Sequence, residues 1–137
     1  MTIYLDTSSL VKLYLEERDT ADIQRLVRAA DAVVTSVLAY PETRATFARR
    51  RRERLLTPAA AAAAVTQFDA DWGRFVRIAC GSELAQAAGQ LADTHGLRGG
   101  DAVHLASFEA LLAGCTDTDI RFSSADDRLN RAARALG

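Results

Sequence analysis

The sequence predicts an α/β protein, a parallel sheet covered by helices, and three observations predict it. Short β-prone runs alternate with helical stretches along the chain, and parallel neighbours need crossover connections of that length. The 137 residues suit one domain with a single core. Apolar residues make up 49% and charged residues 26%, a globular balance far from that of disordered chains.

Ile3–Tyr4–Leu5 opens the chain as a strand, and Asp6, Thr7 and Ser8 follow as helix-capping types, so a helix is expected near Ser9–Glu17. Ala32–Val33–Val34–Thr35 forms a second strand that leads through Ser36 into a helix reaching Arg54. Pro41 either kinks that helix or marks its true first turn. Thr57–Pro58 is an N-cap and first-position pair that opens an alanine-rich helix towards Trp72. Phe75–Ala79 reads as a third strand, and the helix that begins at Ser82 should end at Gly96. After Leu97–Arg98–Gly99–Gly100, the stretch DAVHLASFEALLAG, starting at Asp101, is helical and apolar on most sides, as a helix buried between other elements should be. Ile120–Ser123 is the last strand, and Ala125–Asp126–Asp127 opens a final helix to Leu136. No repeat or linker interrupts this order, so residues 1–137 read as one domain.

The longest run suggestive of a membrane span, Ala59–Val65, falls well short of the roughly 20 residues needed to cross a bilayer. Met1–Asp6 lacks the basic segment and long apolar stretch of a secretion signal, so a cytoplasmic protein without membrane contact is expected. Cys80 and Cys115 stand alone, without CxxC spacing, and are expected as buried thiols.

The net charge of −1 argues against a protein that coats nucleic acid through bulk positive charge. Its distribution is less even. Between Arg44 and Arg54, arginines at 44, 49, 50, 51, 52 and 54 face the single acid Glu53. Guanidinium forks match phosphate oxygens, and each contact releases condensed counterions. The strip is a phosphate-binding candidate; a solvated helix face explains it equally well.

Ligands of parallel sheets bind beyond the carboxyl ends of the strands, and Asp6, Glu42, Asp101 and Asp126 all fall at such places. Taken singly, each acid is explained as a cap or a first-turn charge favoured by the helix dipole. Taken together, clustered carboxylates repel unless a divalent cation neutralises them, and their hard oxygens suit magnesium or manganese. Such ions acidify a bound water and stabilise charge on a phosphodiester, so hydrolysis of nucleic acid is the chemistry the cluster would serve.

Four motifs then make the chain recognisable. YLDTSSLVK at 4–12, the acid of YPE at 40–42, LRGGDAVHLA at 97–106 and FSSADDRL at 122–129 resemble the PIN-domain family, more narrowly its VapC-type toxin ribonucleases. The resemblance spans essentially the whole chain in the family's order. It implies an α/β/α sandwich around a central parallel sheet and a magnesium-dependent endoribonuclease. It also implies an RNA substrate, homodimerisation and inhibition by a small cognate antitoxin. Residue by residue, Asp6, Glu42 and Asp101 match the principal metal-site acids, and Asp126 matches the fourth. Ser8 matches the hydroxyl that orients the first acid or a nearby water, and Ser124 stands where the family has a threonine. Asp127 directly follows Asp126, so the fourth acid lies between these two neighbours. The arginine strip, Arg49, Arg50 and Arg51 foremost, shares Glu42's helix and could guide an RNA backbone towards the site.

His104 lies three residues after Asp101 on nearly the same helix face. It could bind substrate or a water; a packed structural histidine is the favoured reading. His95 and His104 match no zinc spacing. An aspartyl-phosphate phosphatase would need a second acid where Ser8 stands, and a P-loop NTPase is excluded because RGGD has no GxxxxGK context. The remaining alternative is a catalytically silent domain of the same fold that binds RNA or a protein.

Overall fold

The computed structural model describes residues 1–136 and contains four strands and seven helices among them. In chain order these are β1 (Thr2–Leu5), α1 (Thr7–Val11), α2 (Thr20–Ala29), β2 (Ala32–Ser36), α3 (Ala39–Arg52) and α4 (Pro58–Trp72). They continue as β3 (Val76–Ile78), α5 (Ser82–His95), α6 (Gly99–Gly114), β4 (Ile120–Ser123) and α7 (Asp127–Leu136). The sheet is wholly parallel with strand order β3-β2-β1-β4. After β1 the chain builds outward through β2 and β3, then returns to add β4 on the other side of β1. The strand order therefore reverses between β1 and β4, the point in such sheets where loops diverge and leave a crevice.

The strands' twofold alternation sorts their side chains into two cores. Ile3 and Leu5 of β1 join Leu10, Val11, Ile23, Phe47, Ala64 and Phe68, so α1–α4 cover one face. Tyr4 and Val34 point the other way and join Leu105, Phe108, Leu129 and Ala132 beneath α6 and α7. Helix α5 attaches through small residues, with Ala88 packed against Ala102 and Ala106 of α6. The result is the expected three-layer α/β/α sandwich. The first core is largely aromatic: Phe68, fully buried, has ring contacts with Tyr14, Tyr40, Phe47 and Trp72.

Several local expectations hold for the stated reasons. Thr57 accepts a hydrogen bond from the Ala60 N–H and caps α4, whose first residue is Pro58. Gly96 ends α5 in the left-handed region at φ +64, which costs a glycine nothing. Pro41 lies in the first turn of α3, where its missing N–H would have had no helical partner, so it introduces no break.

Other expectations are corrected. The first helix is confined to Thr7–Val11 and does not reach Glu17. The chain turns there, and Lys12 Nζ donates to the carbonyl of Arg18 at 2.5 Å. Helix α2 is an element the sequence reading did not identify, although Ile23, Leu26 and Val27 supply its buried stripe. The third strand is shorter than Phe75–Ala79, and its Val76 is 51% exposed. Helix α6 starts at Gly99, two residues before the expected start at Asp101. Cys80 is exposed and Cys115 half-buried, so neither is the buried thiol expected. No helix among the described residues is long and apolar enough to cross a membrane.

Candidate active site

Asp6 follows β1 directly and caps α1 by accepting from the Ser9 N–H at 3.0 Å. Two further donors complete its shell. Ser8 Oγ donates to Oδ1 at 2.7 Å and Ser124 Oγ to Oδ2 at 2.6 Å. Each serine is held in turn by a backbone N–H, Ala125 to Ser8 at 2.9 Å and Asp126 to Ser124 at 3.0 Å. The loop after β4 is thereby tied to the acid after β1, and both hydroxyls singled out from the sequence touch Asp6. Only 3% of Asp6 is exposed, and burial pushes its carboxyl above the ordinary value despite the opposing bonds from Ser124 and Ser8.

Glu42 reaches the same cleft from the first turn of α3. Its Oε1 accepts from Thr7 Oγ1 at 2.6 Å and lies 2.8 Å from His104 Nε2. Burial alone would raise this carboxyl, but the bonds from His104 and Thr7 outweigh it and hold Glu42 below its usual value. His104 is buried, as expected of a packed histidine, yet it also touches the site, and its Nδ1 lies 2.8 Å from the Tyr4 hydroxyl. Burial pushes that phenol well above its ordinary range, so it keeps its hydrogen.

Asp101 stands in the first turn of α6, 3.6 Å from the Arg98 guanidinium. Asp126 Oδ1 accepts from the N–H groups of Arg128 at 2.8 Å and Leu129 at 3.2 Å, and so caps α7 while facing the cleft. Asp127 is exposed and lines an adjoining depression with Arg128 and Arg131.

All four acids predicted from the sequence thus line one cleft of about 370 Å³, at the side of the sheet where the strand order reverses. Glu17, Arg49, Arg50 and Arg98 complete its charged wall. Glu17 is an acid the sequence reading did not single out, and it pairs with Arg50. Arg51 is exposed and does not line the cleft. The arginine strip therefore divides, with Arg50 and Arg49, itself exposed, at the cleft and Arg51 outside it.

The donors are hard carboxylate oxygens, the set that suits magnesium or manganese and not a thiophilic ion. The burial cost at Asp6 is of the kind that a bound cation relieves. Each carboxylate is turned to its own local partner, and among the described residues no three His, Cys, Asp or Glu side chains already stand as a ligand group. The residue types and their convergence on one cleft fit the ion.

Comparison with known proteins gives the family and the fold. The family model described as PIN domain matches residues 3–135. Ribonuclease VapC45 and Ribonuclease VapC49, both of Mycobacterium tuberculosis, are each 38% identical over 135 residues, 98% of this chain and 91% of theirs. Among solved structures, Mycobacterium tuberculosis VapC20, described as a sarcin-ricin loop cleaving toxin, superposes with a TM-score of 0.68. Its identity is 18%, with 95% of this chain and 94% of that one covered. FitAcB from Neisseria gonorrhoeae superposes with a TM-score of 0.67 at 17% identity, covering 96% and 93%. Matched from its first strand to its last helix and similar along nearly its whole length to the VapC ribonucleases, the chain belongs to the PIN-domain family.

Proposed function

We propose that this protein is a metal-dependent endoribonuclease, the toxin of a toxin–antitoxin pair. The observation that carries the reading is the convergence of Asp6, Glu42, Asp101 and Asp126 on one cleft beside Arg49, Arg50 and Arg98. Asp6, Glu42 and Asp101, with Asp126 as the fourth acid, would hold magnesium or manganese. Bound there, the ion supplies an acidified water and charge to stabilise a phosphodiester in transition. Ser8 and Ser124 fix the orientation of the Asp6 carboxylate, and the arginines draw the RNA backbone to the cleft. A small cognate antitoxin as inhibitor belongs to the same proposal, supported by the likeness to VapC and FitAcB proteins; a homodimeric state is proposed on the family resemblance alone.

The test is cleavage of RNA by purified protein. Activity should require magnesium or manganese, disappear in chelator and return when the ion is restored. Binding without cleavage over a range of RNAs would replace this reading with a silent RNA-binding module of the same fold.

Two substitution pairs refine the assignment. Asp126→Asn should lower the cleavage rate far more than Asp127→Asn, because only Asp126 faces the cleft. The reverse order would move the fourth acid by one position. Arg49→Gln should weaken RNA binding and flatten its salt dependence by about 0.7 in log–log slope, one single-strand phosphate contact. Arg51→Gln, on an exposed side chain outside the cleft, should leave the slope unchanged. Slopes unchanged from wild type in both variants would return the whole strip to a solvated face.

A further inference from the structure

The side chains that restrain Glu42 come from the sequence neighbours of the other two principal acids. Thr7 follows Asp6, Tyr4 precedes it on β1, and Gly100 and His104 flank Asp101 on α6. An ionised carboxylate only accepts hydrogen bonds, so the hydrogen between His104 and Glu42 belongs to Nε2. Thr7 spends its own hydrogen on Glu42 Oε1, which leaves its oxygen, 3.1 Å from Nε2, able to share the imidazole hydrogen. On the far side of the ring, the Tyr4 hydroxyl is placed to donate to Nδ1 at 2.8 Å. The Tyr4 ring is fixed independently by stacking on Phe122 at 5.5 Å and by an edge contact with Phe108.

The other carboxylate oxygen is restrained by shape. A Cβ placed on Gly100 would meet Glu42 Oε2 at 2.8 Å, closer than a carbon and an oxygen can stand. The carboxylate tip could ordinarily swing aside, but its Oε1 is tied to Thr7 and His104. Gly99, one residue earlier in the same turn, has open space where its Cβ would be.

We propose that Tyr4 and His104 are positioning residues that preset the Glu42 carboxylate through an Nε2–H imidazole, and that Gly100 is glycine to leave room for that carboxylate. The proposal rests on the metal-dependent nuclease reading for its catalytic consequence, and on the hydrogen-bond geometry alone for the tautomer. Glu42 is the acid that arrives on a separate helix, α3, and the clamp ties its carboxylate to the β1–α1 segment that carries Asp6 and to the α6 turn that carries Asp101.

The first test is independent of activity. Long-range proton–nitrogen NMR of the metal-free protein should show the His104 hydrogen on Nε2, and an imidazole protonated on Nδ1 alone would overturn the proposal. The second test is kinetic. Gln at 104 can place an amide N–H near the Nε2 position, whereas Asn is too short, so His104→Asn should lower kcat by about 10- to 100-fold with KM little changed. His104→Gln should recover most of that loss. Gly100→Ala should lower kcat while the thermal midpoint holds or rises, because alanine favours the helix, and Gly99→Ala should leave both rate and binding unchanged. Wild-type rates in His104→Asn and Gly100→Ala, or equal losses in the Asn and Gln variants that follow their thermal midpoints, would reduce the cluster to core packing. If the wild-type protein cleaves no RNA under any metal condition, the nuclease reading fails, and the NMR result still decides the clamp.

Discussion

Asp6→Asn should lower RNA cleavage by at least about 100-fold, the scale on which a single group that stabilises transition-state charge acts, while the metal-free protein melts no lower than wild type. The two halves of that expectation have different causes. The amide keeps an acceptor for the Ser9 N–H and the Ser8 hydroxyl. Its NH2 replaces Oδ2 opposite Ser124, whose hydroxyl can turn and accept, since only one of its lone pairs is taken by the Asp126 N–H. The hydrogen bonds are thereby retained. What disappears is a negative charge on a 3% exposed side chain, which costs the fold desolvation energy and which a cation in the cleft would require. Initial rates and melting curves recorded in chelator check both halves. A variant that cuts RNA at close to the wild-type rate would remove Asp6 from the metal site; one that cuts poorly and also melts early would make its role structural.

Phe68→Ala should have the largest effect on stability. The side chain is fully buried at the centre of the aromatic cluster, with ring centroids 5.3 Å from Tyr40, 5.4 Å from Tyr14, 5.5 Å from Trp72 and 6.1 Å from Phe47. These rings are held by α3, α4 and the turn after α1, so they cannot close in on the vacated space together. Truncating a buried phenylalanine costs about 3–5 kcal/mol through lost burial and residual cavity. Denaturant titration should show the unfolding free energy falling by that amount, through a lower midpoint at unchanged slope. A loss below about 1 kcal/mol would show that the cluster collapses around the gap.

Much of this architecture was legible in local chemistry. The apolar runs at 3–5, 32–35 and 120–123, the Thr57–Pro58 start and the Gly96 stop are signals that act over a few residues, and the structure uses each of them. The acids were legible because strand ends in parallel sheets are where ligands bind. What escaped depends on distant partners or weak caps. Asp19 precedes α2 in the left-handed region and makes no side-chain cap, so that helix lacks the start signal of α4. Gly99–Gly100 has the composition of a loop, and what places Gly100 in a helix beside Glu42 is a contact across 58 positions of chain. His104 reads as a core histidine in isolation; its bond to Glu42 spans 62 positions. The division of the arginine strip follows from which side of α3 meets the cleft, which helical spacing alone does not specify.

The position of β4 beside β1 has a consequence for how the protein comes into being. β1 is one of the two inner strands, yet one of its two neighbours, residues 120–123, is made after α6 is complete. The Ser124 hydroxyl that completes the Asp6 shell is separated from it by 118 positions. Contacts of such long range form late, since loop closure must be overcome before they contribute. A nascent chain can therefore pair β1, β2 and β3 and build the α1–α4 layer on the ribosome while Asp6 still lacks Ser124 and the cleft still lacks the wall that carries Asp126. Translation itself keeps the site unassembled: a chain stalled or truncated before β4 is a scaffold without a finished cleft, whatever else in it has folded.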